Sequence, residues 1–243
     1  MNKKLLAFPY AFWAAFFILV PLGMIFFYGF TDKSGSFTLA NILAILGKEH
    51  WKALWISIAL SLLSTLICLL LAYPLALILS KRKNGGGMGI IIALFILPMW
   101  MNSLLRTLAW QTILEKTGLL NTLLSLFKLP QLQIINTPYA IILGMVYNFL
   151  PFMILPIYNS LTKIDPNVIN AAYDLGADSL QVLVLVTIPL SVSGIISGIT
   201  MVFVPALTTF VISSLLGGSK ILLIGNIIEQ EFTVNSNWYL GSG

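Results

Sequence analysis

Charged residues are scarce in this sequence. Only 9% of its 243 residues are Asp, Glu, Lys or Arg, whereas 58% are hydrophobic and the mean hydropathy is +0.97. About a quarter of the residues in a soluble globular domain are charged, so the composition excludes an ordinary soluble protein. Long apolar stretches of this kind are typical of a protein embedded in a lipid bilayer.

Residues for metal binding and covalent chemistry are also few. Cys68 is the only cysteine and lies inside an apolar run, which excludes a disulfide or a cysteine-based metal site within the chain. His50 is the only histidine. The sequence has no phosphate-binding loop of the form GxxxxGK followed by Ser or Thr, no HExxH and no Ser/His/Asp set. We therefore expect no catalytic residue, no metal site and no cofactor bound by this chain.

The sequence is instead a series of apolar runs, each near the roughly 20 residues that a helix needs to cross a membrane. They predict five spans, at about residues 8–30, 53–79, 90–113, 139–160 and 188–213. Arg106 is the only charged residue within them. We therefore predict an all-α membrane protein, a polytopic transmembrane helix bundle that forms a single domain over residues 1–243.

Basic residues next to the span ends indicate the orientation. A basic pair at residues 3–4 precedes the first span, and a basic cluster at residues 81–83 follows the second. The positive-inside rule assigns both to the cytoplasm, so the N-terminus and the loop at about 161–187 are predicted to be cytoplasmic. The aromatic pair Trp238-Tyr239 resembles the start of another span. We expect that a sixth span is missing from the C-terminus.

The loop at 161–187 carries the start and stop signals of a short helix. Asp165 followed by Pro166 combines an N-cap with a proline at the first helical position. Gly176 can adopt a positive φ and end the helix, and a second helix is then predicted to lead into the membrane, with Pro189 near the entry of the last span. The small residues at 171–172 would let a partner surface approach closely. An ordinary interfacial helix that only joins two spans is the alternative interpretation.

The same loop resembles the cytoplasmic signature of permease subunits of ATP-binding-cassette importers. That signature reads Glu-Ala-Ala, three residues, Gly, nine residues, Ile, one residue, Leu-Pro. This sequence has Asn170-Ala171-Ala172, then Gly176, then Val186-Thr187-Ile188-Pro189 at the same spacing, with Asn170 in place of Glu. The resemblance implies a coupling helix that docks in a cleft of an ATPase subunit. Its predicted coupling residues are Asn170, Ala171, Ala172, Asp174, Gly176 and Ala177.

Three further stretches, at 97–100, 105–110 and 148–158, resemble the spermidine/putrescine branch of these importers, specifically the first of its two permeases. The resemblance implies a multi-pass permease of the bacterial plasma (inner) membrane that takes polyamines from an external binding protein. It also implies a second permease and two ATPase subunits, which bind the ATP and Mg. Permeases for opines, phosphonates or thiamine share parts of the pattern, so these solutes remain alternatives.

Aromatic faces in these stretches can hold an amine by cation–π attraction, worth about 0.5 to 2 kcal/mol each. The predicted substrate-path residues are Trp100, Trp110, Tyr147, Asn148 and Tyr158. For each aromatic, packing within the bundle is the alternative, and the better supported one. Prolines remove backbone hydrogen bonds within a span, which is tolerated where helices bend or line a cavity. The predicted hinges are Pro98, Pro151 and Pro156.

Two features of the spans predict local packing. Arg106 lies about one turn from the outer end of the third span, where its side chain can reach the interface; a gating role or a contact with the binding protein is the alternative. Gly194 and Gly198 form a GxxxG pair, and we expect them to allow close helix packing within the chain. An ion-coupled secondary transporter is the rival class, but it predicts ionisable residues at mid-membrane or inverted repeats, and neither is clear. A non-transporting scaffold has less support.

Overall fold

The computed structural model describes residues 3–81, 93 and 97–243. Apart from one isolated β-bridge between Thr31 and Phe37, the regular structure of these residues is helical, which confirms the all-α prediction. In chain order the helices are α1 (Lys3–Gly29), α2 (Ala40–Leu43), α3 (Lys48–Lys81), α4 (Ser103–Leu114), α5 (Leu119–Leu126), α6 (Pro138–Leu161), α7 (Pro166–Asp174), α8 (Ser179–Thr208), α9 (Val211–Leu216), α10 (Ile224–Thr233) and α11 (Trp238–Ser242).

Four of these helices are long and apolar enough to cross a membrane, within the part of the chain that the structure describes. They are α1 through its segment Phe12–Gly29, α3, α6 and α8. Four of the five predicted spans are therefore confirmed as long apolar helices.

The third predicted span, 90–113, is not one continuous helix where it is described. Residues 97–100 are helical, the chain turns at 101–102, and α4 then begins. The side chain of Asn102 accepts a hydrogen bond from the N–H of Leu104 at 2.8 Å and so caps a new helix. The prediction of an uninterrupted helix was wrong here, and the rest of its first half lies outside the described residues.

The last predicted span, 188–213, also has different bounds. Helix α8 begins at Ser179 and ends at Thr208, because Thr209 has an extended backbone with φ −67° and ψ 137°. A separate short helix, α9, follows. The predicted bounds of the span were therefore wrong at both ends, although the second helix predicted to follow Gly176 and lead into the span is present.

The described chain forms two compact units. Unit 1 comprises Met1–Trp55 and Ile224–Gly243, and unit 2 comprises Ile56–Leu223. In unit 1, α11 packs against α1, with the rings of Tyr28 and Tyr239 edge to face and their centroids 5.3 Å apart. All of the functional features considered below belong to unit 2.

Helix α6 lies at the centre of unit 2 and packs along α8. A Cβ atom on Gly194 would lie 2.5 Å from the Cβ of Ser160 and 2.6 Å from the carbonyl oxygen of Pro156. A Cβ atom on Gly198 would lie 2.6 Å from the sulfur of Met153. The two glycines therefore let α8 approach α6 closely, as the GxxxG pattern predicted.

Helix α3 has a buried face of small residues that was not predicted from the sequence, and the part of it from Ser64 to Ala76 packs on α6. This small-residue face consists of Ser57, Ser61, Ser64, Cys68, Ala72 and Ala76, each fully buried. Their spacing of three or four residues places them on one side of the helix. The hydroxyl of Ser64 donates to the sulfur of Met145 at 3.3 Å. The hydroxyls of Tyr73 and Ser191 lie 3.0 Å apart, which joins α3 to α8 as well.

We predict that Gly194→Ala lowers the thermal unfolding midpoint of the purified permease. The added Cβ would meet a backbone carbonyl that cannot move freely, and overpacking of this kind costs about 1 to 3 kcal/mol. Gly198→Ala should cost less, because the flexible side chain of Met153 can shift. Gly23→Ala is the control, since no atom lies within 4 Å of its added Cβ. Equal midpoints for Gly194→Ala and Gly23→Ala would contradict the close packing.

Candidate functional site

The connection between α6 and α8 contains the short helix α7, and both of its ends are capped. At the start, the carboxylate of Asp165 accepts a hydrogen bond from the N–H of Asn167 at 2.9 Å, and Pro166 occupies the first helical position. These contacts confirm the helix start predicted from the sequence. We call residues 165–178 the coupling segment.

The end of α7 is a complete glycine cap. Gly176 has a φ of +87°, a conformation that costs glycine little. The N–H of Gly176 donates to the carbonyl of Tyr173 at 2.9 Å, and the N–H of Ala177 donates to the carbonyl of Ala172 at 3.1 Å. This pair of bonds is the Schellman motif. The predicted helix stop at Gly176 is therefore confirmed.

A second cap follows the first almost immediately. The carboxylate of Asp178 accepts from the N–H groups of Leu180 and Gln181, and the side chain of Gln181 accepts from the N–H of Asp178 at 2.9 Å. This capping box begins α8. The coupling segment therefore has a defined conformation set by its own local hydrogen bonds.

The coupling segment is exposed along much of its length. Helix α7 has no buried residue. Val168 and Tyr173 are each 44% exposed, and Leu175 is 89% exposed. Of the predicted coupling residues, four are exposed and two are half-buried: Asn170, Ala171, Asp174 and Gly176 are exposed, and Ala172 and Ala177 are half-buried. This surface presents small, polar and apolar side chains together, a composition suited to contact with another protein.

The first part of α8 contains a π-helical stretch, Leu183–Thr187, that the sequence analysis missed. Helix α7 contacts this stretch. The hydroxyl of Thr187 donates to the carbonyl of Val182 at 3.2 Å, and both residues are buried. Pro189 is the residue from which the π-helical stretch could have been predicted. A proline has no N–H to donate to the preceding turn, so it disturbs the helix on its N-terminal side. Such stretches are frequent at functional positions in helices.

The predicted substrate-path residues do not form one cluster. Trp110 and Tyr147 are together, with ring centroids 5.3 Å apart at an interplanar angle of 70°. Asn148 is buried, and its amide donates to the carbonyl of Gly144 at 2.9 Å. Tyr158 packs on a different hydrophobic cluster, and Trp100 is 82% exposed. The ring contact between Trp110 and Tyr147 is therefore the part of the predicted path that the structure brings together.

Arg106 is buried, at 7% exposure, and does not extend to the surface as the sequence analysis expected. Its Nε and Nη1 atoms have no hydrogen-bond partner among the described residues. A buried charge without a partner is costly, and arginine cannot lose its proton in a protein. This position therefore departs from the usual rule that buried polar groups are paired.

The predicted hinge prolines occupy two kinds of position. Pro151 and Pro156 lie inside α6, which continues through both. Pro98 lies in the helical residues 97–100, and its carbonyl accepts from the N–H of Met101 at 3.2 Å, immediately before the chain turns. A hinge role for these prolines stays a prediction.

Residues 69–241 match the protein family described as binding-protein-dependent transport system inner membrane component. The chain belongs to this family. The permease is 38% identical over 239 residues to the spermidine/putrescine transport system permease protein PotB of Haemophilus influenzae, covering 95% of this chain and 83% of that protein. It is 37% identical to PotB of Escherichia coli K12, covering 95% of this chain and 86% of that protein.

Solved structures agree with the fold. The permease resembles a chain in the crystal structure of a bacterial alginate ABC transporter in complex with an alginate-bound periplasmic protein, with a TM-score of 0.76 at 17% identity. The match covers 98% of this chain and 85% of that chain. The protein is a multi-pass membrane permease of an ABC importer and a transport subunit rather than a catalytic enzyme. Within the described residues, no group of three or more His, Cys, Asp or Glu side chains could hold a metal ion.

We predict that Arg106→Met raises the unfolding midpoint of the purified permease in detergent. Replacing a buried ion pair by well-packed apolar residues is often stabilising, by about 1 to 4 kcal/mol, and removing the Arg106 guanidinium should stabilise for the same reason, because the cost of burying its charge disappears. Arg106→Lys keeps the charge and should give no such gain. A clear fall in the midpoint of Arg106→Met would show instead that the guanidinium is paired in the folded protein.

Proposed function

We propose that this chain is a permease subunit that imports polyamines of the spermidine and putrescine type. The observation that carries the proposal is the 36–38% identity to spermidine/putrescine permeases of several bacteria over 95% of the chain. A permease for another small cationic or organic solute, such as an opine, a phosphonate or thiamine, is the alternative substrate assignment.

In this proposal the chain works in an assembly. It pairs with a second, similar permease, and two ATPase subunits bind ATP and Mg on the cytoplasmic side. A binding protein outside the cell membrane delivers the solute. The N-terminus and the coupling segment lie in the cytoplasm, the orientation favoured by the basic residues at 3–4 and 81–83.

The coupling segment is the element proposed to dock on an ATPase subunit. It is exposed, its small residues allow close approach, and its caps hold one conformation. It joins two helices that pack tightly on each other, α6 and α8. Force on the coupling segment would therefore act on both helices at once. Closure of the ATPases would then move the spans between outward-open and inward-open arrangements.

The charges of the chain limit how it handles a polyamine. The apolar segments of the described membrane-spanning helices contain no Asp or Glu. Glu49 belongs to α3 but lies at its start, before the apolar segment. A polycation would therefore meet aromatic faces, such as those of Trp110 and Tyr147, and find its carboxylates in the outer loops, on a partner subunit or on the delivery protein. Cation–π attraction favours a cation without the cost of burying a carboxylate in the membrane.

We expect Ala171→Asp to abolish both co-purification of the ATPase subunits and solute uptake. Ala171 is exposed, so the helix itself should lose less than about 1 kcal/mol. An unpaired charge buried in an interface costs about 3 to 5 kcal/mol, which weakens docking roughly a hundredfold or more. The measurement is the ATPase content of the affinity-purified assembly together with uptake of labelled spermidine.

Ser125→Asp is the matched control for that experiment, because it places the same charge on an exposed position of α5, outside the coupling segment. It should leave the ATPase content unchanged. Normal ATPase retention and uptake by Ala171→Asp would refute the docking role. Retained assembly and transport of a different solute would refute only the polyamine assignment.

The aromatic contribution to solute passage can be tested at Trp100. The side chain of Trp100 is exposed, so its removal should not disturb the hydrophobic core. Trp100→Ala should raise the KM for spermidine uptake about two- to fivefold, the effect of one exposed cation–π contact, whereas Trp100→Tyr should stay near wild type. Tyr139→Ala removes an exposed aromatic outside the predicted path and serves as the control. An unchanged KM for Trp100→Ala would remove Trp100 from the path.

A further inference from the structure

A groove of about 560 Å³ runs between α6 and α8 on the surface of unit 2. We call it the inner groove; it extends from Phe152 and Met201 at one end to Lys163 at the other. Its volume lies within the range of small-molecule sites. None of the predicted substrate-path residues lines it.

The polarity of the inner groove changes along its length. The end near Lys163 is lined by the amide of Asn159 and the hydroxyls of Ser160 and Ser193, which lie 3.3 Å from each other. The opposite end is lined by apolar side chains, among them Leu155. The groove therefore offers hydrogen-bonding groups at one end and an apolar surface at the other.

The length of the inner groove matches one leaflet of a bilayer. Phe152 and Lys163 are 11 positions apart on or just beyond α6, which corresponds to about 16 Å at the helical rise. The hydrocarbon of a whole bilayer is about 30 Å thick, so one leaflet accounts for about 15 Å. A lipid chain lying along the groove would place its headgroup next to Lys163.

The charge of the inner groove selects the kind of headgroup. Lys163 is the only charged side chain among the described residues that line it, and no carboxylate does so. A polycation would be repelled at this end, which argues against this groove as the route of the proposed solute. A phosphate group would be attracted to Lys163, because a basic side chain near the cytoplasmic surface attracts anionic headgroups.

We propose that the inner groove binds an anionic phospholipid of the cytoplasmic leaflet, with its phosphate at Lys163 and an acyl chain along Phe152, Leu155 and Met201. The placement of Lys163 on the cytoplasmic side of the membrane rests on the proposed function. Lys163 lies two residues before Asp165, the N-cap of the coupling segment. A bound headgroup would therefore stabilise the joint between α6 and α7 and support transmission from the ATPases.

The test is native mass spectrometry of the complete importer, released from nanodiscs that contain equal amounts of phosphatidylglycerol and phosphatidylethanolamine. We expect retained phosphatidylglycerol on the wild-type assembly. Lys163→Gln should weaken the retention of phosphatidylglycerol about fivefold, because one basic residue near an anionic surface contributes binding free energy of about that size. Ser197→Phe should also reduce retention by filling the groove. Lys128→Gln, an exposed lysine outside the groove, should change nothing.

Equal retention of phosphatidylglycerol in wild type and Lys163→Gln would overturn the proposal. So would a cross-link from Ser197→Cys to the second permease in every assembly, because protein would then cover the groove. If inorganic phosphate displaced phosphatidylglycerol and Ser197→Phe did not change its retention, Lys163 would belong to a site for free phosphate. That result would also overturn the proposal. These readouts do not require transport, so lipid binding can be established even if the polyamine assignment or the docking role fails.

Discussion

Unit 2 depends on the close approach of α3 and α8 to α6. Lipid tails are as apolar as the helix surfaces, so burial from water does not drive helices together in a membrane, and close packing of small residues takes its place. Gly194 and Gly198 supply this on α8, and the small-residue face supplies it on α3. The Tyr73–Ser191 hydroxyl contact joins the two outer helices. These contacts hold the three helices together.

The coupling segment joins α6 and α8, which pack closely at Gly194 and Gly198. A nine-residue helix is marginal by itself in water, and α7 buries none of its residues. Its conformation depends instead on the Asp165 cap, the Gly176 cap and the Asp178 capping box. An exposed, capped element joined to a closely packed helix pair is suited to the mechanical coupling proposed above.

Much of this arrangement could be predicted from the sequence because its causes are local. Hydropathy predicts the apolar helices. The start of α7 is predicted by the N-cap Asp165 followed by Pro166, and its end is predicted by Gly176, which can adopt a positive φ. The GxxxG pair reports a close contact, although not its partner helix. Each of these signals lies within a few residues of the feature it determines.

The features that were missed depend on longer-range packing or on one residue within an apolar run. Hydropathy does not predict the break at Asn102, because the value for a window of many residues changes little when one of them is a polar amide. The small-residue face of α3 is a mixture of Ser, Cys and Ala, and only the position of α6 makes it a contact surface. The burial of Arg106 depends on neighbouring helices, whereas the sequence shows only its distance from the end of a span.

The most direct test of the coupling claim is cross-linking in the assembled importer. A cysteine at position 171, paired with single cysteines along the cleft of the ATPase subunit, should form a disulfide whose yield changes when ATP is bound. Native Cys68 is buried and should not compete. No cross-link to the ATPase in any nucleotide state, from an assembly that still transports, would contradict the account.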